Sequence, residues 1–453
     1  LKWIFILFLL GFTPALAAYL RGEPRYLPHA CFAMAGMLFF LDPYLYVAPV
    51  SWPAWPGPVK GVEVSLIDGV AIAIIAATRG RAKTPLLLKI GMAIFAAALV
   101  VSIFAGQQKW PGFFYASQVL RAVIVYLAVS RAAAIDERVP IYILAGLSVG
   151  VFVNCLSAVQ QFLGGAIQAG GRMGHQNLLG MMTHFATMPA FALLLGGRRT
   201  LLPVAIVAAG ATIAIVGGSR ATIGLFGMGL VITTLLSMRN QMTGRKGAFA
   251  AVAIATLVLA APVMMWAVDR RSEASKASSN QEREAFINAA KMMIADHPLG
   301  VGGNQYVLVA NIGGYSGRAG VAWNAGNRAA PVHNTYYLTT AELGYLGLVG
   351  LLTIIIALAQ HGIASLRRVS GERADFVVGT TATLIVVAAH SYYEYITVTF
   401  YVQYLLGMMM GVMVGVTSAV TGRKAPPVHA PVVPPARREA ARPAPVSADS
   451  PLY

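Results

Sequence analysis

Charge is what this chain of 453 residues has least of. Only 11% of it is Asp, Glu, Lys or Arg, 57% is hydrophobic, and the mean hydropathy is +0.67. A soluble protein carries about 25% charged residues, so an ordinary soluble enzyme and a solvated disordered chain are both excluded. Cysteine is nearly absent as well. Cys31 and Cys155 are the two present, and both lie in apolar runs. That excludes a disulfide framework and a cysteine-built metal site. Acidic residues are half as numerous as basic ones, 17 against 34.

What is present is a succession of apolar runs, each near the roughly 17–25 residues that cross a bilayer as a helix. The pattern predicts an all-α, polytopic membrane protein with thirteen candidate spans: 1–20, 28–48, 62–78, 86–105, 115–131, 140–163, 177–195, 201–217, 221–237, 247–268, 335–360, 375–392 and 396–420. The first carries Lys2 and Ala15-Leu16-Ala17, which resembles a signal peptide and its cleavage site. Arg21 and Arg25 follow it, and loop parity favours an uncleaved helix.

The net charge of +17 would point to nucleic acid in a soluble protein. Here its distribution sets orientation instead, and no nucleic-acid partner is expected. Basic residues fall in alternate short loops: Arg79, Arg81 and Lys83; Arg131 and Arg138; Arg198 and Arg199; Arg239, Arg245 and Lys246; Arg367, Arg368 and Arg373. The positive-inside rule places these loops in the cytoplasm. A tail at 422–453, rich in Pro, Ala and Arg, falls on the same side and is expected to be disordered. The other face, the periplasm in a bacterial inner membrane, holds loop 49–61 and the one large loop, 269–334. In that loop Ser279–Ala295 predicts a helix capped by Ser279 and ended by Pro298, with Phe286, Ala289, Ala290, Met293 and Ile294 as its apolar face. Gly302 and Gly303 follow in a turn that either presents backbone N–H groups to an anion or is a tight turn and nothing more.

The polar residues of the outer face form three groups. His333, at the outer start of span 335–360, suits a general base, since imidazole ordinarily titrates near pH 6.5; a capping residue is the plainer alternative. GGRMGHQNLLG at 170–180 supplies Arg172, His175 and Asn177. GGSRATIG at 217–224 places Arg220 at a helix start, where a guanidinium can grip a phosphate in a bidentate manner or merely snorkel to water. Two arginines and a histidine from three spans on one face point to a shared cleft. Glu342, nine residues after His333, lies on the opposite helix face and about 13 Å deeper, which favours a structural role. Arg121 lies within a span and either serves function or pairs with Glu342 or a helix-end carbonyl. His390, Tyr392, Tyr393, Glu394 and Tyr395 mark the outer end of another span, and the tyrosines read best as an aromatic belt. No Asp-x-Asp pair, His-x-x-x-His pair or Cys cluster stands on this face, so no Mg²⁺ or Zn²⁺ site is expected.

Taken in order, these motifs resemble a family. His333-Asn334 followed by Glu342, Gly344 and Gly347, together with GRMGHQN, GGSRATIG and EREAFINAAKMMIADHPLGVGGNQY, resembles the bacterial O-antigen ligase and O-antigen/exopolysaccharide polymerase superfamily over about residues 150–395; Gln176 stands where that family usually has proline. The resemblance implies a metal-independent membrane glycosyltransferase without cofactor. Its donor would be a glycan on undecaprenyl diphosphate. Its acceptor would be a growing glycan, the slightly favoured reading, or lipid A–core. Membrane lipid, a chain-length regulator and export proteins are the further partners such an enzyme meets. By position, Arg172 and Arg220 would bind the diphosphate and His333 would serve the acceptor hydroxyl. His175, Asn177, Arg283, Asn334 and Tyr337 would bind substrate. The transmembrane glycosyltransferase-like part would run over 1–421. A transporter or flippase of lipid-linked oligosaccharide is the alternative; such proteins place binding residues near the midplane in paired halves, and no half repeat is evident here.

Overall fold

A computed structural model describes residues 2–40, 45–80, 82–198, 200–244, 246–251 and 273–422. The expected span 247–268, the tail, and Arg81, Arg199 and Arg245 lie largely or wholly outside the described residues. Apart from two single-turn helices in the large loop, Tyr315–Arg318 and Ala325–Ala329, the α-helices among the described residues are α1 (Lys2–Gly22), α2 (Leu27–Met37), α3 (Leu66–Ala77), α4 (Leu86–Ala105), α5 (Lys109–Ile135), α6 (Val139–Leu163), α7 (Gln176–Gly196), α8 (Leu201–Val216), α9 (Arg220–Asn240), α10 (Glu273–Asp296), α11 (Tyr306–Ile312), α12 (Thr335–Ser365), α13 (Gly371–His390) and α14 (Phe400–Gly422). Eight of them, α1, α4–α7, α9, α12 and α14, are long and apolar enough to cross a membrane. The chain is an all-α, multi-pass membrane protein.

Two expected spans differ. Span 28–48 becomes the 11-residue α2, a 3-10 turn, and strand β1 (Tyr46–Ser51), and span 62–78 becomes strand β2 (Gly61–Ser65) followed by the 12-residue α3. A helix of that length reaches only about 18 Å, short of the hydrocarbon core. The strands pair antiparallel, Tyr46 opposite Ser65 and Ser51 opposite Gly61. Valine recurs in both strands and tyrosine opens the first, residues that favour strands but that a hydropathy average cannot distinguish from the end of a helical span. In α10 the helix begins at Glu273, so Ser279 lies within it and is not its cap. Its apolar face is as expected: Phe286, Ala289, Ala290, Met293 and Ile294 are buried in a core shared with α12.

Helix pairs approach closely where glycine allows. On α14, Gly407, Gly411 and Gly415 stand one turn apart; a Cβ at each would come within 2.5, 2.7 and 2.6 Å of Ala122, Val129 and Ala133 on α5. Small residues at such a seam let dispersion act between backbones, which drives helix association in lipid.

The backbone N–H groups beside the glycine turn of the large loop meet a carboxyl group of the protein itself. Glu342 Oε1 accepts the Tyr306 backbone N–H at 3.0 Å, and the N–H groups of Asn304 and Gln305 also point to this carboxylate. The Gly302 N–H donates to the Glu342 carbonyl at 3.0 Å, and the Gly303 N–H faces Ser102 Oγ at 3.3 Å. None of these donors is left for a ligand. Asn304, at φ 62°, also binds the hairpin connection: it accepts from Val59 N at 3.1 Å and donates to Val59 O at 2.6 Å, while Trp55 Nε1 donates to its carbonyl at 3.1 Å. Glu342 thus joins loop, hairpin and α12 at one point. Two residues on, Gly344 breaks the helical path at φ 68°, and a Cβ there would lie 2.6 Å from Leu299 C. The kink lets the loop backbone rest on α12.

Arg121 pairs with the first third of the chain, not with Glu342. Its Nε lies 3.0 Å from Asp68 Oδ2 and its Nη1 3.0 Å from Glu63 Oε2, and the Tyr404 hydroxyl donates to Asp68 Oδ1 at 2.6 Å. All this is buried. Removing one partner strands the others' charge, which costs about 3–5 kcal/mol. Arg121→Met should therefore lower the thermal midpoint of the detergent-solubilised protein far more than Tyr404→Phe, which gives up hydrogen bonds of about 1 kcal/mol each. Equal midpoints for Arg121→Met and wild type would show that the cluster does not support the fold.

Candidate active site

Four element ends meet on the face that carries α10: the starts of α7, α9 and α12, and the turn at 391–395 after α13. Sequence order explains each start. Ser219 caps α9 by accepting the Thr222 N–H, His175 Nδ1 stands 3.4 Å from the Leu178 N–H at the start of α7, and Asn334 Oδ1 accepts the N–H groups of Tyr336 and Tyr337 at 3.0 and 3.1 Å. Polar caps satisfy the free N–H groups of a first turn.

The caps are themselves joined. Ser219 Oγ donates to Asn177 Oδ1, and Asn177 Nδ2 donates to Glu394 Oε1 at 2.7 Å. Glu394 Oε2 faces His333 Nδ1 at 3.6 Å. That gap is longer than a full hydrogen bond, and catalytic contacts often tighten only with substrate bound. Because an ionised carboxylate only accepts, a proton on His333 is held at Nδ1 and the Nε2 lone pair is left free. Burial raises the Glu394 carboxyl, but His333, the His175 ring and the Asn177 amide outweigh it, and the group lies below its ordinary value. It is therefore ionised at neutral pH.

His333 keeps a quarter of its side chain exposed, while Glu394 is 11% exposed beneath it. The Tyr395 ring meets the imidazole edge-on at 5.1 Å and Phe286 of α10 does so at 6.1 Å. Arg283, one turn earlier on α10, is half-buried and near enough to His390 for its charge to act there. A cavity of about 120 Å³ opens beside the cluster, lined by His175, Leu178, Glu394, Tyr395 and Thr399.

Arg172 and Arg220 are exposed at this edge. The segments that carry them are tied by the Ala169 N–H to the Val216 carbonyl at 3.3 Å. Among the described residues neither guanidinium has a hydrogen-bond or ion-pair partner. Asn177 and Asn334 are buried and engaged in the network; Asn334 Nδ2 also donates to Tyr392 O at 3.0 Å. Tyr337 lies along the outer side of α12, with Lys291 Nζ 6.0 Å over its ring.

Glu394 is the residue that sequence reasoning missed. Tyrosines on both sides made HSYYEY resemble a membrane-interface belt. The available signal was a carboxylate at a span's end with no basic residue nearby in sequence to pair with. No set of three or more His, Cys, Asp or Glu suited to a metal ion occurs among the described residues.

Residues 188–352 match the family model described as O-antigen ligase. This supports the resemblance to the O-antigen ligase and polymerase superfamily. The match takes in Arg220, Arg283, His333, Asn334, Tyr337 and Glu342; Arg172, His175, Asn177 and Glu394 lie outside it. No curated protein matches the chain.

Proposed function

We propose, from the O-antigen ligase family assignment of residues 188–352, that the chain transfers glycan from undecaprenyl diphosphate to an acceptor hydroxyl. The observation that carries this reading is the His333–Glu394 pair at an edge where two exposed arginines have no partner among the described residues.

In the proposed step the acceptor oxygen bonds to the anomeric carbon of the donor. The bond from that carbon to the diphosphate oxygen breaks, and its electron pair leaves with the lipid diphosphate. The acceptor proton passes to His333 Nε2. Glu394 holds the tautomer that can receive it and balances the imidazolium that forms. Negative charge grows on the leaving diphosphate, and Arg172 and Arg220 stabilise it from fixed positions near the membrane boundary. His175 stands at the edge of the same cavity. Asn177 and Asn334 position the carboxylate and the histidine, and Arg283 adds positive charge from α10. A donor with so good a leaving group asks only for orientation, charge stabilisation and a proton acceptor, which is why the proposed mechanism uses no metal. The reading places the site at the periplasmic face of a bacterial inner membrane.

The test is transfer by the purified, full-length chain in vesicles holding undecaprenyl-diphosphate-linked glycan and either lipid A–core or a second lipid-linked glycan. Product should form with release of undecaprenyl diphosphate, and the rate should persist in excess EDTA. Movement of the intact lipid-linked glycan across the vesicle without transfer would instead establish a flippase. Deleting the gene separates the two acceptors. Single repeat units on lipid A–core mark a lost polymerase, and polymer stranded on the lipid carrier marks a lost ligase.

A further inference from the structure

A second cavity, of about 470 Å³, lies on the other side of the turn that carries Glu394, and Lys291, Tyr337, Thr340, Tyr345 and Tyr392 are among its lining residues. Its size falls in the range of about 300–1,000 Å³ typical of small-molecule sites. The same short turn walls both cavities: Tyr392 faces this one, and Glu394 and Tyr395 face the one beside His175. The Asn334 amide, adjacent to the histidine, is bonded to the Tyr392 carbonyl. Along α10 the cavity at Ile294 is eight residues from the Phe286 ring on His333, about 12 Å of helix.

The lining has a particular chemistry. Tyr345 and Tyr392 are 56% and 54% exposed. The hydroxyls of Tyr337, Tyr345 and Tyr392 have no hydrogen-bond partner among the described residues, and Lys291 has no ion pair. An interface belt turns such rings outward to headgroups. Here they line a concave surface, offering flat apolar faces with free hydroxyls at their rims. That combination suits sugar rings, whose axial C–H faces stack on an aromatic ring while their hydroxyls bond at its edge. Lysine adds a single point charge for an anion.

We propose that this groove is an acceptor subsite, which seats sugar rings of an anionic acceptor glycan on Tyr337, Tyr345 and Tyr392 with Lys291 on its phosphate or carboxylate. The inference rests on the glycosyltransferase reading. It assigns the arginine edge to the donor and the tyrosine groove to the acceptor, on the two flanks of the base. Such a division lets the attacking hydroxyl arrive from one side while the diphosphate leaves on the other.

The probe is a photoreactive p-benzoylphenylalanine placed in the full-length chain, either at Tyr392 in the groove or at Thr399 in the donor-side cavity. The chain also carries His333→Ala so that substrate is not consumed. It is irradiated in the membranes of the cell that makes it, and the adduct mass is read after proteolysis. The groove position should capture a sugar-bearing adduct, and Lys291→Gln should lower its yield about five-fold or more. Capture of phospholipid alone at position 392, or of nothing, while position 399 captures glycan, overturns the acceptor subsite and leaves the transferase reading standing. Absence of glycan at both positions overturns both. A yield unchanged by Lys291→Gln overturns the anionic part of the assignment.

Discussion

Replacing His333 with alanine is expected to slow glycosyl transfer by about 10²–10⁴-fold, the usual effect of losing a general base, while donor affinity stays nearly intact. The donor's charge is met by Arg172 and Arg220, so the histidine is needed only when the acceptor proton departs. Single-turnover rate and donor binding are measured on the same folded variant. Glu394→Gln sharpens the test. Carboxylate can only accept, so it fixes one direction for the whole chain from Ser219 through Asn177 to His333. An amide can point either way, and in one orientation it donates to Nδ1, which moves the imidazole proton to Nε2 and removes the base. Glu394→Gln should thus lower the rate, by less than His333→Ala. Full activity in either variant would reduce His333 to a residue at a helix entry.

Acid should act on this site in two ways. The rate should fall as pH drops, because only neutral imidazole accepts a proton. Stability follows Glu394. Its folded value is lower than its unfolded one, so its contribution is fully present above the ordinary carboxylate range and is lost as pH falls through the depressed value. Activity should therefore decline while the protein remains folded. Simultaneous loss of the two on acid titration would contradict the separate roles.

The second large effect is expected at Arg220. Arg220→Ala should weaken donor binding and also slow transfer, since the diphosphate is charged before the reaction and more so as the bond breaks. An electrostatic contact of this kind commonly accounts for about 10²–10³-fold in rate. Arg220→Lys keeps the charge and loses the planar fork, so it should recover donor binding better than rate. Arg172→Ala should follow the same pattern, and the double variant should fall short of the product of the two if both grip one diphosphate. If Arg220→Ala binds donor as wild type does, the arginine is merely reaching water from a helix end.

The outcome at each of these residues shows what a sequence discloses. Most long apolar runs read correctly as helices because a single segment satisfies its own backbone in lipid only as a helix; α4–α9 agree with expectation to within several residues. The hairpin was hidden because β1 and β2 are apolar enough to pass for span ends. Helical geometry alone carries Glu342 away from His333, and the structure shows it bonded to the loop backbone instead. The partners of Arg121 were not legible: Asp68 and Glu63 lie more than fifty residues away in sequence, and only packing of α3, β2 and α5 brings them in. Glu394 is sixty-one residues from His333, and the turn that connects them forms only once α12 and α13 are side by side.

The Arg121 cluster bears on how the chain is built. Glu63 and Asp68 leave the ribosome well before Arg121, and α3, with 12 residues and a carboxylate, is a poor candidate to enter lipid alone. Asp68 lies in the first turn of α3, where before Arg121 is made only the Ser65 cap meets its carboxylate, and a charge taken toward lipid without an opposite charge is costly. Partition of α3 should therefore wait, beside the insertion machinery, until α5 brings its guanidinium. Tyr404, the last member to be synthesised, closes the cluster after most of the chain is made. In a chain halted before α5, a cysteine placed in α3 should be labelled by a membrane-impermeant thiol reagent, and in one halted just after α5 it should be protected.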